Sequence, residues 1–211
     1  MSSRIVGVIG IALASVAATA GPAGAQYRAA QALQRPLNFE VGAGGSVPLG
    51  EADKALATGF NALAAATLHH RALPFGLRAA LSYQRFGAKT GRVDATTTVR
   101  SGYAHLAGAT LDATLGLPTG VLRPYVVGGV GIYDFRSRRN VVQIVGGDAL
   151  VTSTLRQSET PWGLNAGIGM RGGLGGLDAF AEIRIDNTFT KNGAFGGERL
   201  RVVPVTLGIR F

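Results

Sequence analysis

The chain has 211 residues, of which 46% are hydrophobic, with 32 glycines, no cysteine and a formal net charge of +9. The frequent Val, Leu, Ile and aromatic residues exclude a disordered protein, and the glycines follow no collagen period. Without cysteine, the folded chain can have neither a disulfide nor a lipid attached to a cysteine.

The start of the chain has the features of a secretory signal peptide. Arg4 precedes an uncharged apolar stretch over residues 5–20, and Ala23-Gly24-Ala25 has the small-x-small form that signal peptidase accepts. A transmembrane anchor is the alternative, but glycines and a Gly-Pro break leave this stretch short of the roughly 20 apolar residues that a spanning helix needs. We therefore predict that residues 1–25 are removed on export.

Beyond this segment, apolar and polar residues alternate in eight stretches, which is the pattern of β-strands. The stretches are residues 37–46, 59–70, 77–86, 103–115, 122–135, 162–172, 177–189 and 200–211. Each is close to or above the roughly 9 to 11 residues that a tilted strand needs to cross a bilayer. No heptad pattern or 18-residue apolar run follows Gln26, so a helical membrane protein is not expected.

The connections between these strands alternate strictly between short and long. The short ones, which are typical of tight turns, are residues 73–76, 116–120 and 172–176. The long ones, which are polar and charged, are residues 47–58, 87–102, 136–161 and 190–199. This order is required when every second hairpin end faces the outside of the cell and the others face the periplasm. It predicts an all-β fold, an eight-stranded antiparallel transmembrane β-barrel with short periplasmic turns and longer outer loops. The barrel domain is expected over residues 36–211, after a short periplasmic segment at 26–35.

Most predicted strands have one apolar and one polar face, and the composition of the two faces indicates which one points inward. The polar face combines glycines with charges of both signs, which suits a narrow interior closed by close backbone approach and by ion pairs. The apolar face carries aromatic residues near strand ends, where rings sit at a membrane interface. These aromatic residues are Phe39, Tyr83, Tyr103, Trp162, Phe189 and Phe211. The expected polar network of the lumen consists of Glu40, Arg78, Asp112, Arg171, Glu182, Arg184, Asp186 and Arg210. The second and fifth predicted strands alternate less cleanly, and their faces are left unassigned.

Four segments carry a resemblance to a known family. They are residues 124–133 (PYVVGGVGIY), 162–170 (WGLNAGIGM), 180–184 (FAEIR) and 205–211 (VTLGIRF). From about residue 36 onward, the chain resembles the small eight-stranded outer-membrane proteins of the outer-membrane protein A, X and W type, often described as an outer membrane protein β-barrel domain. The resemblance implies a Gram-negative envelope protein that is inserted by the outer-membrane barrel assembly machinery. That machinery reads a last strand ending in an aromatic residue, and Phe211 matches the position. The family specifies an architecture more than an activity, because this fold hosts tethers, adhesins, lipid enzymes and porin-like narrow pores.

Candidate catalytic residues do not form a recognisable constellation. The lipid A deacylases of this fold use a His, a Ser two residues further on and an acidic partner, but neither His69 nor His105 is followed by that Ser. Glu182 and Asp186 share a face with Arg184 between them, which favours an interior salt-bridge ladder over acid–base catalysis. We therefore expect no enzyme activity.

Metal and cofactor sites are not expected either. Adjacent His69 and His70 point to opposite faces of a strand, and the chain has no Cys and only one further His. The glycine-rich stretches at residues 42–45 and 128–131 lie inside predicted strands with no helix after them, so they cannot cradle a phosphate at a helix N-terminus.

Basic residues concentrate in the predicted outer loops. They are Lys89, Arg92, Arg100, Arg136, Arg138, Arg139, Arg156, Lys191 and Arg199. A basic chain can bind nucleic acid, but lipopolysaccharide presents phosphates at the height of these loops, so ion pairing to lipid is the more economical interpretation. A merely solvated basic loop is the alternative.

The longest connection opens with Arg136, Arg138 and Arg139 and continues through β-prone residues 141–145 and 151–155, which could form a hairpin above the membrane. The sequence thus predicts a monomeric, non-enzymatic outer-membrane protein with a structural or surface-interaction role, whose outer loops contact lipopolysaccharide or an external partner and not nucleic acid. The alternative is a narrow pore for small or hydrophobic solutes, although eight strands leave an interior that side chains just fill.

Overall fold

A computed structural model describes residues 37–69, 75–92, 97–117, 121–145, 149–174, 177–190 and 199–211. Within these ranges the chain forms ten strands and one short helix. They are β1 (Leu37–Leu49), α1 (Glu51–Ala55), β2 (Gly59–His69), β3 (Phe75–Gly87), β4 (Gly91–Arg92), β5 (Thr97–Gly116), β6 (Leu122–Val145), β7 (Ala149–Glu159), β8 (Trp162–Leu174), β9 (Leu177–Phe189) and β10 (Arg199–Arg210). The predicted signal peptide at 1–25 and the segment at 26–35 lie outside the described residues. No helix in the described part of the chain is long and apolar enough to cross a membrane.

Eight of these strands close into an antiparallel barrel, which confirms the predicted fold class. Successive barrel strands pair with each other in chain order, and they are β1, β2, β3, β5, β6, β8, β9 and β10. The ring closes where β1 pairs with β10, from Glu40 opposite Arg210 to Leu49 opposite Arg201. Closure satisfies the backbone hydrogen bonds of both terminal strands and leaves no open edge in the wall.

The barrel strands follow the predicted ones closely, and the largest differences lie at the outer end. β5 begins at Thr97 rather than at residue 103, and β6 continues to Val145 rather than ending at 135. The connection predicted at 136–161 is therefore mostly strand. Alternation stops at the polar run that begins with Arg136, but backbone pairing does not depend on side-chain polarity and continues past it.

β6 and β7 form a hairpin that extends beyond the barrel wall, here called the outer hairpin (residues 136–145 and 149–159). Phe135 lies opposite Glu159 in this pairing, and Ile132 lies opposite Trp162 in the pairing of β6 with β8. The two pairings share one register, and the Tyr133 N–H bridges them by donating to the Pro161 carbonyl oxygen at 2.8 Å. β7 and β8 thus form one long strand, interrupted only where Pro161 has no N–H to donate.

The outer end of the barrel interior is closed by an apolar cluster, here called the apolar cap. Its members are Ala52, Leu56, Phe86, Ala104, Leu106, Tyr133, Phe135, Leu200 and Val202. α1 supplies Ala52, and Leu56 follows directly after the helix; each is only 1% exposed. The turn into α1 uses Gly50 at φ +64°, a conformation that glycine adopts without penalty. Burying each large apolar side chain contributes about 1.5 to 3 kcal/mol, so the cap holds α1 firmly against the wall.

Candidate functional site

The barrel interior holds charged side chains below the apolar cap. All eight residues expected in the lumen are buried, with exposed fractions between 0% and 6%. They are Glu40 on β1, Arg78 on β3, Asp112 on β5, Arg171 on β8, Glu182, Arg184 and Asp186 on β9, and Arg210 on β10. Their positions follow from strand parity, because successive residues of a strand point to opposite sides of the wall.

Arg78 lies between two carboxylates from strands that are distant in the sequence. Its Nη1 lies 2.6 Å from Glu182 Oε2, and its Nη2 lies 3.1 Å from Glu40 Oε2. The Tyr125 hydroxyl donates a hydrogen bond of 2.8 Å to the same Glu182 oxygen. These contacts join β1, β3, β6 and β9 across the lumen.

Glu40 is shared among several arginines. Arg171 Nη2 lies 3.1 Å from Glu40 Oε1, and Arg210 Nε lies 3.9 Å from the same oxygen. The Arg171 guanidinium also stacks 3.9 Å above the centre of the Tyr125 ring, a cation–π contact between two buried side chains. We call this group, Glu40, Arg78, Tyr125, Arg171, Glu182 and Arg210, the Arg78 cluster.

A second group lies beside the Arg78 cluster. Arg184 Nε lies 2.8 Å from Asp186 Oδ1, and Gln84 Nε2 donates to the other Asp186 oxygen at 2.8 Å. Asp112 accepts hydrogen bonds from Asn165 Nδ2 at 2.8 Å and from the Thr110 hydroxyl at 3.0 Å. Arg184 also interacts electrostatically with Glu182 of the Arg78 cluster, so β9 links the two groups.

Several interior partners have no clear signal in the sequence. Tyr125 and Tyr133 lie on β6, where apolar residues occupy both parities, so alternation assigns no face to this strand. Arg123, on the same strand, pairs with Asp178 at 3.5 Å. Asn165 lies on the polar parity of β8, as alternation predicts, but its hydrogen bond to Asp112 could not be predicted from one strand alone.

Glycine positions make room for the aromatic rings of the interior. A Cβ at Gly169 would overlap the Tyr125 ring, and one at Gly208 would lie 2.5 Å from the Phe180 ring. Such distances are too short for real atoms, so these rings occupy the space that a side chain on the neighbouring strand would fill.

Metal binding finds no support in the described residues, where no three His, Cys, Asp or Glu side chains are placed to hold one ion. His69 Nδ1 lies 3.3 Å from the Asn38 side-chain nitrogen. His105 hydrogen-bonds the Tyr83 hydroxyl. Both histidines thus have polar neighbours that do not form a catalytic arrangement with a serine.

The barrel exterior is apolar, with aromatic residues at both ends. At the periplasmic end the Phe39 and Phe211 rings stack at 6.2 Å, and the two residues exchange backbone hydrogen bonds of 2.8 and 2.9 Å. At the outer end the Trp162 and Phe189 rings lie 4.4 Å apart. The described wall between these ends exposes large apolar side chains, including Leu81, Leu111, Val130, Ile132 and Ile168.

The outer hairpin separates the basic residues that the sequence grouped together. Arg136 and Arg138 are exposed on one face, while Arg139 is half-buried on the other. Partial burial lowers the pKa of Arg139 from its usual value, because the charged form loses hydration. Arg138 lies directly opposite Arg156 in the β6–β7 pairing, so these two arginines are neighbours on the same face of the outer hairpin.

The other predicted loop cations are dispersed. Lys89 Nζ lies 2.9 Å from Asp53 Oδ1 and so ties α1 to the end of β3. The Arg199 guanidinium lies 5.4 Å from the centre of the Phe189 ring. Lys191 and the side chains of Arg92 and Arg100 lie outside the described part of the structure.

Comparison with known proteins identifies the fold. No protein-family model and no curated protein matches the sequence. Among solved structures, Neisserial surface protein A superposes with a TM-score of 0.52 at 16% identity, covering 83% of this chain and 96% of that chain. A major outer membrane protein from Thermus thermophilus superposes with a TM-score of 0.56 at 15% identity, covering 84% of this chain and 100% of that chain. The chain has the fold of the small eight-stranded outer-membrane barrels. Its closed wall, apolar exterior and charged interior are those of a barrel that spans a membrane.

Proposed function

We propose that the protein is a non-enzymatic barrel of the outer membrane with a structural or surface-interaction role, and that its outer hairpin contacts lipopolysaccharide or an external partner. The observation that carries this proposal is the exposed edge of β7. Within the described residues β7 pairs with β6 alone, at the end of the sheet. An unpaired strand edge is a template for a strand of another molecule, which would add main-chain hydrogen bonds.

The side chains of β7 also favour an interaction role. Val151 and Leu155 are about half exposed, and Thr152, Thr154 and Arg156 are exposed as well. The outer hairpin is supported by β5 on its β6 side, but the apolar residues of β7 are open to water, and a partner that covers them adds stability. The arginine pair Arg138 and Arg156 adds charge that suits lipid phosphates, since charge-assisted hydrogen bonds to phosphate are among the strong ones.

The interior supports a structural role rather than transport. The Arg78 cluster links strands from opposite sides of the lumen, and the apolar cap fills the outer end with side chains such as Leu56, Leu106 and Phe135. A solute or ion would have to displace both. For that reason we rank the narrow pore below the surface-interaction role.

Truncation of the outer hairpin tests the proposal. Asn140 lies opposite Thr154, and the Thr154 hydroxyl donates to the Asn140 side-chain oxygen at 3.1 Å. Replacing residues 141–153 with a two-residue Asn-Gly turn therefore keeps a natural register. The truncated barrel should still fold and should bind purified lipopolysaccharide more weakly than the intact protein in a pull-down from detergent, because it loses much of the exposed edge of β7. Unchanged binding would leave the hairpin without the proposed role. The matched control carries the same Asn-Gly pair as an insertion, while residues 141–153 all remain in place.

A further inference from the structure

The outer part of the barrel wall carries an ordered set of side chains on three neighbouring strands, β3, β5 and β6. Across the strands at their outer end, Arg85, His105 and Arg136 are successive cross-strand partners. The next row toward the membrane centre is Tyr83, Ala107 and Asp134, and the row after it is Leu81, Ala109 and Ile132. All nine residues share the outward parity, so they form one surface that changes from a basic row, through a mixed row with Tyr83 and Asp134, to an apolar row.

The middle strand makes this surface concave. β5 contributes only Ala107 and Ala109 to the two lower rows, whereas its neighbours contribute Leu81 and Tyr83 on one side and Ile132 on the other. Leu81 and Ile132 are 64% and 63% exposed, so they stand out from the wall as the two sides of a trough. The two sides lie on β3 and β6, two strand spacings or roughly 9.6 Å apart, which leaves room for about one acyl chain between the side chains.

The trough opens into a wider apolar groove of about 920 Å³. Its floor is formed by small side chains, which are Ala64, Ala66, Ala79 and Ala109. It extends along six neighbouring barrel strands, from Phe39 on β1 to Trp162 on β8, which is roughly 24 Å of wall at that strand spacing. A groove of this width accommodates several chains side by side rather than one or two.

Positive charge is concentrated where the trough ends. The Arg85 guanidinium lies 5.5 Å from the centre of the Tyr103 ring, and that ring lies 4.9 Å from the His105 ring. Arg136 is exposed and pairs with Asp134 at 2.8 Å. Two arginines on either side of His105 thus face one carboxylate at the outer end of this surface.

We propose that this surface is a binding site for a phosphorylated glycolipid with several acyl chains, of the lipid A class, in the outer leaflet. One acyl chain lies in the trough between Leu81 and Ile132, further chains lie in the adjoining groove, and a phosphate accepts hydrogen bonds from Arg85 and Arg136 beside His105. The inference rests on the proposed location of the protein in the outer membrane. It does not depend on the tip of the outer hairpin, because Arg85 and His105 belong to the barrel wall.

The site also explains the arrangement of its neighbours. Tyr83 and Tyr103 flank His105 and restrict its ring, which lies between Arg85 and Arg136 in the cross-strand row. Without lipid, Asp134 forms the ion pair with Arg136. A phosphate competes well for that arginine, since it offers bidentate acceptance with more than one negative charge.

Lipid binding to the refolded mature barrel tests the proposal. Native mass spectrometry in detergent measures binding of bisphosphorylated lipid A, dephosphorylated lipid A and phosphatidylglycerol to the wild type and to four variants. Arg85→Gln removes a proposed phosphate ligand, and Arg201→Gln is its control, because Arg201 is exposed at the outer end of β10 away from the trough. Ala109→Phe fills the trough, and Ala43→Phe places the same bulk on an outward position of β1 that does not line the groove.

We expect Arg85→Gln to weaken binding of bisphosphorylated lipid A about tenfold, as the loss of one charge-assisted hydrogen bond implies, and Arg201→Gln to change it less than about twofold. Ala109→Phe should weaken binding of both lipid A forms, while Ala43→Phe should not.

Equal effects of Arg85→Gln and Arg201→Gln, or equal binding of the dephosphorylated lipid, would overturn the phosphate site. Equal competition by phosphatidylglycerol would overturn the assignment to a glycolipid. Replacement of residues 141–153 leaves this site intact, so lipid A binding that disappears only in that truncated form would contradict this inference while supporting the hairpin.

Discussion

Arg78 and Glu182 form the shortest ion pair of the described barrel interior, with Arg78 Nη1 2.6 Å from Glu182 Oε2 and both side chains closed off from solvent. The pair does not stand alone, because Glu40 approaches the other side of the same guanidinium at 3.1 Å. Each carboxylate has given up its hydration, and Arg78 is the group that compensates both.

Removing Arg78 should therefore destabilise the barrel far more than removing an arginine of the outer hairpin. Arg78→Ala leaves two buried carboxylates without their shared partner, and breaking such a buried pair costs about 3 to 5 kcal/mol. Arg136→Ala removes an exposed ion pair, which costs about 1 kcal/mol or less. Urea unfolding of the refolded proteins, followed by tryptophan fluorescence of Trp162, measures the difference. Equal midpoints for the two variants would argue against a stabilising interior network.

The space beside Tyr125 predicts a second, local effect. Gly169→Ala places a methyl group where the Tyr125 ring lies, and this overpacking should cost about 1 to 3 kcal/mol. Gly87→Ala is the control, because an added Cβ there meets nothing within 4 Å. The temperature at which the folded form disappears on a gel should fall for Gly169→Ala and not for Gly87→Ala. Gly169→Ala should lower this temperature less in a Tyr125→Leu background than in the wild type, which a non-specific backbone effect would not produce.

Strand parity explains why the interior residues could be predicted and their partners could not. Alternation along a strand indicates which residues share a face, so Glu40 and Arg171 could be placed inside from the sequence alone. Which arginine meets which carboxylate depends on the tilt and stagger of the closed barrel, which relate residues more than 100 positions apart. Glu40 and Arg171 meet only because β1 closes onto β10 and brings β8 to the far side of the lumen.

The apolar cap marks another limit of pattern reading. Phe86 and Leu106 have the inward parity, but alternation assigns apolar residues to the lipid side, so an apolar inner layer contradicts the rule that places the rest. α1 is only five residues long, too short for a helical period to be visible. Its burial depends on the walls that surround it rather than on a local signal.

The cap leads to a prediction about conductance. Wild-type barrel in a planar bilayer should show no steady ion current, since side chains fill both the outer end and the middle of the lumen. Leu56→Asp should loosen the cap, because a carboxylate cannot remain in that dry cluster, and brief openings should follow. Leu155→Asp makes the same change on the exposed outer hairpin, and this variant should show no channel openings. Steady current through the wild type would favour the pore alternative.

Export can be tested at the start of the chain. Ala23-Gly24-Ala25 predicts cleavage before Gln26, so N-terminal sequencing of protein from the outer-membrane fraction should begin at Gln26. Ala25→Lys removes the small residue that the peptidase needs and should leave the longer precursor. A mature species that starts elsewhere, or a main pool in the soluble periplasm, would contradict the predicted segment.

The end of the chain offers a test that separates assembly from stability. Phe211 stacks on Phe39 at the periplasmic rim, and the resemblance to outer-membrane barrels implies that the assembly machinery reads this aromatic residue. Phe211→Ala should therefore reduce the amount of barrel inserted in cells severalfold. The same variant should still refold in detergent, because the lost ring lies on the lipid-facing rim and not in the interior. Phe75→Ala is the matched control, since Phe75 also lies exposed at the periplasmic end but is not terminal. If the amount of inserted barrel falls equally for the two variants, the loss results from removing an aromatic ring at the periplasmic rim, and Phe211 carries no separate assembly signal.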